Sequence, residues 1–404
     1  MKKIIYAVVI FSCIVFGIFS VTGQAAYSQG KKTSEEGKRV IAHSEADAHK
    51  AVEQGCRIVR KIKTLHAVVC SEKTADILGF EEDVRVFATD AGANHQIGAD
   101  TVQAGGNTGA GRKVVVIDTG YNYLHPELAS SYLEGKDFVN GDDDPMDDNG
   151  HGSHVAGIIT ADGINPQAKG VAPDAGIIAG KVLDAAGSGF FSDVVAGIYW
   201  AIDGPDGIAS TSDDFHPDAI NMSLGTARPY VYKNFCDSVL PDVTAAIQYA
   251  RQRGTAVVVA AGNSGSAGVS IPGCVSYSVT IGAVDALDKI ASFSGRGNAV
   301  DLTAPGVSIF SSYPGGYATL SGTSMATPMV SGVIALLKAA QPTLSESAVE
   351  SKLFKTAKDL GRRGKDPTYG WGRVNAQATV SLTEGTHKIT PRAGDHPLHD
   401  AHEE

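Results

Sequence analysis

The 404-residue sequence predicts an α/β protein: a doubly wound, mainly parallel sheet preceded by a small α+β domain. Two observations carry this. Past residue 90, apolar β-branched runs such as "KVVVI", "GIIAGKVL" and "TAVVVAAG" do not alternate with polar residues, which fits strands buried on both faces of a parallel sheet. Helix-like stretches stand between those runs, the alternation of a doubly wound fold.

The chain opens with "MKKIIYAVVIFSCIVFGIFSVTGQAA". Two lysines precede an apolar run from Ile4 to Val21, and a small-x-small site follows at Gly23, Gln24 and Ala25. That pattern predicts a removed secretory signal over residues 1–26 and an extracellular protein. The competing reading is a retained anchor, since 18 residues sit at the lower edge of a spanning length. No other segment reads as a membrane span, so no membrane contact is expected once the leader is gone.

Residues 27–38 form a polar lead. Then "RVIAH" reads as a strand, "EADAHKAVEQG" as a helix ending at Gly55, and "CRIVRKIKTLHAVVC" as a hairpin. "EKTADILGF" reads as a second helix and "VRVFATD" as a last strand. The order βαββαβ is that of a small ferredoxin-like domain, here within residues 27–90. So short a domain is marginal alone and needs a partner surface or a covalent tie. Of five cysteines, Cys13 leaves with the leader. Four in an exported chain suggest two disulfides, one per domain. Cys56 and Cys70 are symmetric about Lys63, as the two ends of a hairpin would be. Three pairings remain formally open, and buried free thiols are the other reading.

Residues 91–382 read as one body. Its strands are "KVVVI", "GIIAGKVL", "DAINMSL", "TAVVVAAG" and "SVTIGAV"; its helices include "DVVAGIYWAI", "DVTAAIQYARQRG" and "PMVSGVIALLKAAQP". Residues 383–404 are polar, lack periodicity and hold four of the 12 histidines, which predicts a solvated tail. Formal charge is −10, yet the first 90 residues carry 13 Lys/Arg against 11 Asp/Glu. The body is therefore acidic. That argues against nucleic acid as a partner and permits bound cations.

Chemistry in such sheets sits at the carboxyl ends of strands. "VVVIDTG" places Asp118 directly after a buried run, where a carboxylate is costly unless paired. A turn-forming Asp is the bland alternative. "NGHGSHVAG" puts His151 and His154 at the start of an apolar helix among small residues. Their spacing is three with no Glu between, which does not match a zinc-protease helix. His151 as a base and His154 as a packing residue is preferred. "VVVAAGNSG" ends a strand with Asn263, a neutral donor suited to an oxyanion, or else a turn residue. "SGTSMATP" puts Ser324 before an apolar helix, with Pro328 suited to a first helical turn. Thr323 and Thr327 are candidate caps or packing residues. The order Asp118, His151, Asn263, Ser324 has spacings of 33, 112 and 61 residues. Asp, His, Ser in that order is one of three unrelated triad orders, and G-T-S-M-A is not an esterase elbow.

"VVVIDTG", "GHGSHVAG", "INMSLG", "VVVAAGNSG" and "SGTSMATP" together resemble, in order, the signature blocks of subtilisin-like serine proteases. The resemblance covers about residues 96–380, and residues 39–90 resemble the family's inhibitory propeptide. It implies a secreted endopeptidase, synthesised as a zymogen, working as a monomer on protein and peptide substrates. Asp118, His151 and Ser324 would be the triad, and Asn263 with the Ser324 N–H the oxyanion donors. Ser223, Leu224 and Gly225 would form one substrate rail and Gly187, Ser188 and Gly189 the other. Phe191 would line the pocket four residues before the cut. Ala260, Ala261 and Gly262 would line the S1 pocket, whose small walls imply a broad, apolar-leaning preference; Thr226 stands where many relatives have Gly. Cys236 and Cys274 resemble a disulfide pair of secreted bacterial relatives. Self-cleavage is implied between Val86 and Asn94, with the propeptide as inhibitor.

No cofactor is implied for catalysis. Structural calcium is, because a relative binds it in the loop corresponding to "DFVNGDDDPMDDNGHG". Asp137, Asp142, Asp144 and Asp147 are the candidate hard-oxygen ligands there, and a solvated acidic turn is the other reading. Glu127 aligns with an acidic ligand of another family site, but "ADGINPQAKG" lacks the usual Asn placement. The acidic insertion "DGPDGIASTSDD" reads as a surface elaboration, with a calcium site as the other reading.

Overall fold

The computed structural model describes residues 38–62, 65–82 and 91–382. The leader, the strand expected at "VRVFATD", most of the expected processing segment and the polar tail lie outside the described residues. The chain divides into two compact units, residues 1–88 and 89–404.

The first unit runs β1 (Lys38–Ala42), α1 (Glu45–Glu53), β2 (Arg57–Ile62), β3 (Leu65–Cys70), α2 (Glu72–Leu78) and β4 (Glu81–Glu82). Ser44 and Ser71 cap the two helices by accepting the backbone N–H groups of Asp47 and Thr74. Gly79 ends α2 in the left-handed conformation. The sheet order is β2-β3-β1-β4, with every described pairing antiparallel, as the βαββαβ reading requires. Cys56 and Cys70 are joined at the mouth of the hairpin. The core under this sheet is small, built on Val40, Ala51, Val68 and Ala75 with that disulfide.

The second unit opens with α3 (Ala91–Ile97) and α4 (Ala99–Ala104). Then come β5 (Lys113–Asp118), β6 (Tyr132–Asp137), α5 (His151–Thr160), β7 (Gly176–Lys181), α6 (Phe191–Asp203) and β8 (Ala219–Met222). Beyond them lie β9 (Val231–Tyr232), α7 (Pro241–Gln252), β10 (Ala256–Ala260), β11 (Val269–Ser270), β12 (Val279–Val284) and β13 (Leu302–Pro305). A hairpin of β14 (Ile309–Tyr313) and β15 (Gly316–Leu320) leads into α8 (Thr323–Ala340), followed by α9 (Glu346–Thr356) and α10 (Ala376–Ser381).

Seven strands form one parallel sheet in the order β13-β12-β10-β8-β5-β7-β6. Both faces are covered, which explains the unbroken apolar runs. Along β5, Val114 and Val116 pack into one core with α5 and α8; Val115 and Ile117 pack into a second with α6 and α7. The same alternation divides β10, with Val258 on one side and Val257 and Val259 on the other. Among the described residues α8 alone is long and apolar enough to cross a membrane; 78% of it is buried, so its apolarity is core packing. The leader was therefore not the sole segment of that length and character.

Strand β5 is flanked by β7 on one side and β8 on the other. From β5 the chain crosses to the edge strand β6, returns to β7 beside β5, and then winds outward on the other side from β8 to β13. Parallel sheets open a crevice beyond the carboxyl ends of the strands at such a reversal. Asp118 is the last residue of β5 and stands at that point.

Candidate active site

Asp118 is fully buried. Its Oδ1 accepts the Thr119 N–H at 2.7 Å and lies 2.7 Å from His151 Nδ1. A neutral imidazole with its proton on Nδ1 donates to that carboxylate and leaves Nε2 as the basic nitrogen. Burial works to lower the His151 pKa, but the charge and hydrogen bond of Asp118 prevail and hold it above the ordinary value, with Asp147 adding to the effect. His154 behaves as expected of a packing residue. Its Nε2 faces the carbonyls of Ile309 and Ala318, and burial brings its pKa down to about 4.

What holds His151 in place is the start of α5. Gly150, at the cap position, has φ 108° and offers no side-chain acceptor. Asp147 acts instead. Its Oδ1 accepts from Asn149 N, Gly150 N and Thr119 Oγ1, and its Oδ2 from Ser153 N and Ser153 Oγ. Thr119 Oγ1 in turn accepts the Gly152 N–H at 2.8 Å. The helix bearing His151 is thus tied to the turn that follows Asp118. Gly152 permits the approach, since a Cβ there would stand 2.1 Å from the Gly120 carbonyl oxygen.

Ser324 lies in the first turn of α8, where the helix dipole favours negative charge. Its Oγ donates to the Ser223 carbonyl at 3.1 Å. No hydrogen bond joins it to His151 in this arrangement, a loose geometry common before substrate binds. Asn263 follows β10. Its Oδ1 accepts both donors of Thr323, N–H at 3.0 Å and Oγ1 at 3.1 Å. The oxygen being so occupied, Nδ2 is the free end of the amide. A Cβ on Gly322 would stand 3.5 Å from that Nδ2 and 3.6 Å from Ser324 N, so both donors border the one space that glycine leaves open.

A cleft of about 650 Å³ gathers these groups. His151, Asn263 and Ser324 line it, together with Gly187, Ser188, Gly189, Phe191, Ser223, Leu224, Gly225, Ala260 and Gly262. Ala261 does not; it is fully buried in the core on the far side of β10, because successive strand residues face opposite ways. Thr226 and Ala227 line the cleft too, as does Ser270, whose Oγ donates to the Thr226 carbonyl at 2.8 Å. The sequence reading missed Ser270 and had no signal for it, since its place comes from the pairing of β9 with β11. Cys236 and Cys274 are joined behind that ribbon.

One further expectation is corrected. Pro328 is not in the first turn of α8, because the helix begins five residues earlier at Thr323. The four aspartates expected as calcium ligands act as turn and helix-start acceptors. Asp137 accepts from Val139 N, Asn140 N and Asn140 Nδ2; Asp142 accepts from Asp144 N, and Asp144 from Tyr123 OH and Met146 N. With Asp147 committed to α5, the loop uses its carboxylates as turn acceptors. Among the described residues no group of three or more acidic, His or Cys side chains converges as metal ligands would. Glu127, fully buried, likewise accepts the N–H groups of Gly163, Ile164 and Asn165 and the hydroxyl of Tyr317.

The fold and site define a class: a doubly wound parallel sheet carrying Asp, His and Ser in that chain order around one cleft, with an amide donor beside the Ser. The chain belongs to the subtilase family, whose model matches residues 109–372. It is 41% identical over 276 residues to the M-protease of Shouchella clausii (strain KSM-K16), a match covering 68% of this chain and 66% of that protein. It is 40% identical to Subtilisin Savinase of Lederbergia lenta over 68% of this chain and 93% of that one. Against Subtilisin E of Bacillus subtilis (strain 168), identity is 33% over 94% of this chain and 99% of the other.

Proposed function

We propose that the chain is an exported, monomeric serine endopeptidase that cuts peptide bonds in proteins through Asp118, His151 and Ser324. The observation that carries this is the 2.7 Å contact of His151 Nδ1 with Asp118 Oδ1 at the cleft that Ser324 also lines. Ser324 Oγ turns from the Ser223 carbonyl to His151 Nε2, gives up its proton there and attacks the scissile carbonyl. Asp118 holds the imidazole tautomer and stabilises the imidazolium. Asn263 Nδ2 and the Ser324 N–H hold the oxyanion. His151 returns the proton to the leaving amine, and water then hydrolyses the acyl-enzyme by the same steps reversed.

The substrate adds a strand between residues 187–189 and 223–225. Ala260 and Gly262 leave room for apolar side chains at S1, with broad preference. Residues 27–90 act as an inhibitory propeptide, removed by the enzyme itself between Val86 and Asn94. No cofactor takes part.

The test is intact mass spectrometry of residues 27–404 as wild type and as Ser324→Ala. Wild type is expected to lose its N-terminal segment up to a point between Val86 and Asn94, and the variant to stay whole. A variant that trims itself like wild type sinks the assignment of Ser324. Turnover of esters but not of matched peptide amides sinks the endopeptidase reading.

A further inference from the structure

One carbonyl of α8 lacks its helical partner. In an α-helix each carbonyl accepts the N–H four residues on. For Ser324 that residue is Pro328, which has no N–H. The donor comes from outside the helix: Ser223 Oγ, just past β8, donates to the Ser324 carbonyl at 2.9 Å. Ser223 is itself held. Asn221, fully buried on β8, donates from Nδ2 to Ser223 Oγ at 3.0 Å, and its Oδ1 accepts from Ser331 Oγ at 2.9 Å. Asn221 Nδ2 only donates and the Ser324 carbonyl only accepts, so with the amide in this orientation the Ser223 proton goes to Ser324. These bonds start on α8 at Ser331, cross β8 and return to α8 at Ser324.

We propose that Ser223 and Asn221 are positioning residues for Ser324, the Ser223 hydroxyl replacing the helical bond that Pro328 deletes. The bond fixes the peptide unit after Ser324 and with it the turn presenting Ser324 Oγ and N–H. This rests on Ser324 being the nucleophile, and it is separate from the rail function of Ser223. The rail uses the backbone carbonyl, which any side chain at 223 retains; the positioning uses Oγ. Losing the hydroxyl therefore acts on kcat and largely spares KM.

The test is a cycle on the full chain with a peptide substrate: wild type, Ser223→Ala, Pro328→Ala and the double variant, with Ser324→Ala as the control. Ser223→Ala is expected to lower kcat by about 10- to 100-fold, the scale of a small misplacement of a reacting group. Pro328→Ala restores a backbone N–H four residues beyond Ser324, so the double variant is expected to regain most of that loss. A Ser223→Ala variant with kcat within about twofold of wild type overturns the proposal. So does a double variant as slow as Ser223→Ala, because the loss then does not run through the Ser324 carbonyl. If Ser223→Ala alone does not fold, the double variant decides: folded and active supports the compensation, unfolded or inactive overturns it. Turnover that survives Ser324→Ala overturns the catalytic reading itself, and the proposal with it.

Discussion

His151 faces two carboxylates, Asp118 at hydrogen-bond distance and Asp147 through space, and together they outweigh the effect of its burial. In the proposed mechanism the neutral imidazole is the base. The pH–rate profile of kcat/KM should therefore show an acid limb with its midpoint above about 6.5. Asp147→Asn should move that midpoint down; an unmoved limb would mean that Asp147 is electrostatically irrelevant. The same substitution bears on stability. Burial pushes the Asp147 carboxyl up, but the donors from Ser153, Gly150 and Thr119 prevail and hold it below the ordinary value. Its stabilisation is thus complete above about pH 4 and is lost as pH falls through the lower folded value. Asp147→Asn should cost about 2–3 kcal/mol at neutral pH and flatten the acid side of the stability curve, read by denaturant titration across pH. At Asn263 the effect should be kinetic: Asn263→Ala should lower kcat by about 10²–10³ with little change in KM.

At the scale of elements, the cleft depends on how short pieces are braced against the sheet. Thr226 exchanges bonds with Ile271 (its N–H to the Ile271 carbonyl, its Oγ1 from the Ile271 N–H), while β9 pairs with β11. The Cys236–Cys274 bond closes a separation of 38 residues behind them. Replacing both cysteines by Ala should cost about 4 kcal/mol in the chain-entropy account. Because Ser270 lies on that ribbon and Thr226 is bonded to Ile271 beside it, KM should rise more than kcat falls; equal effects on both would argue that the ribbon does not shape the substrate site. Further out, Arg251 of α7 meets Glu346 and Glu350 of α9. Burial first, then Glu346, raises the Glu350 pKa. A raised folded pKa means stabilisation present at low pH and lost as pH rises through that value.

Across the whole molecule, the acidic body, the apolar leader and the five ordered blocks were open to reading in one dimension. Short motifs carry triad chemistry because the turn or helix start that presents each group is local. Carboxylates that cap turns and carboxylates that bind calcium look alike in sequence, and in the acidic loop before His151 their donors are those of the turn. Substituting both Asp142 and Asp144 with Asn should accordingly leave the response of Tm to calcium chelation unchanged, whatever its size. An altered response would restore the loop as a ligand set.

The amino-acid sequence by itself determined the parallel α/β class, the two units and the four groups expected to do chemistry, while it left the cysteine pairing open. Periodicity and local turn chemistry are properties of neighbours along the chain. Tertiary structure alone decided that Asp147 anchors the His151 helix, that Ala261 turns into the core and that Ser270 walls the cleft. It also decided that Ser223 answers for the N–H missing at Pro328. Each of these depends on which segments pack side by side, and hydrogen-bond partners 28 or 101 residues apart carry no mark of each other in sequence.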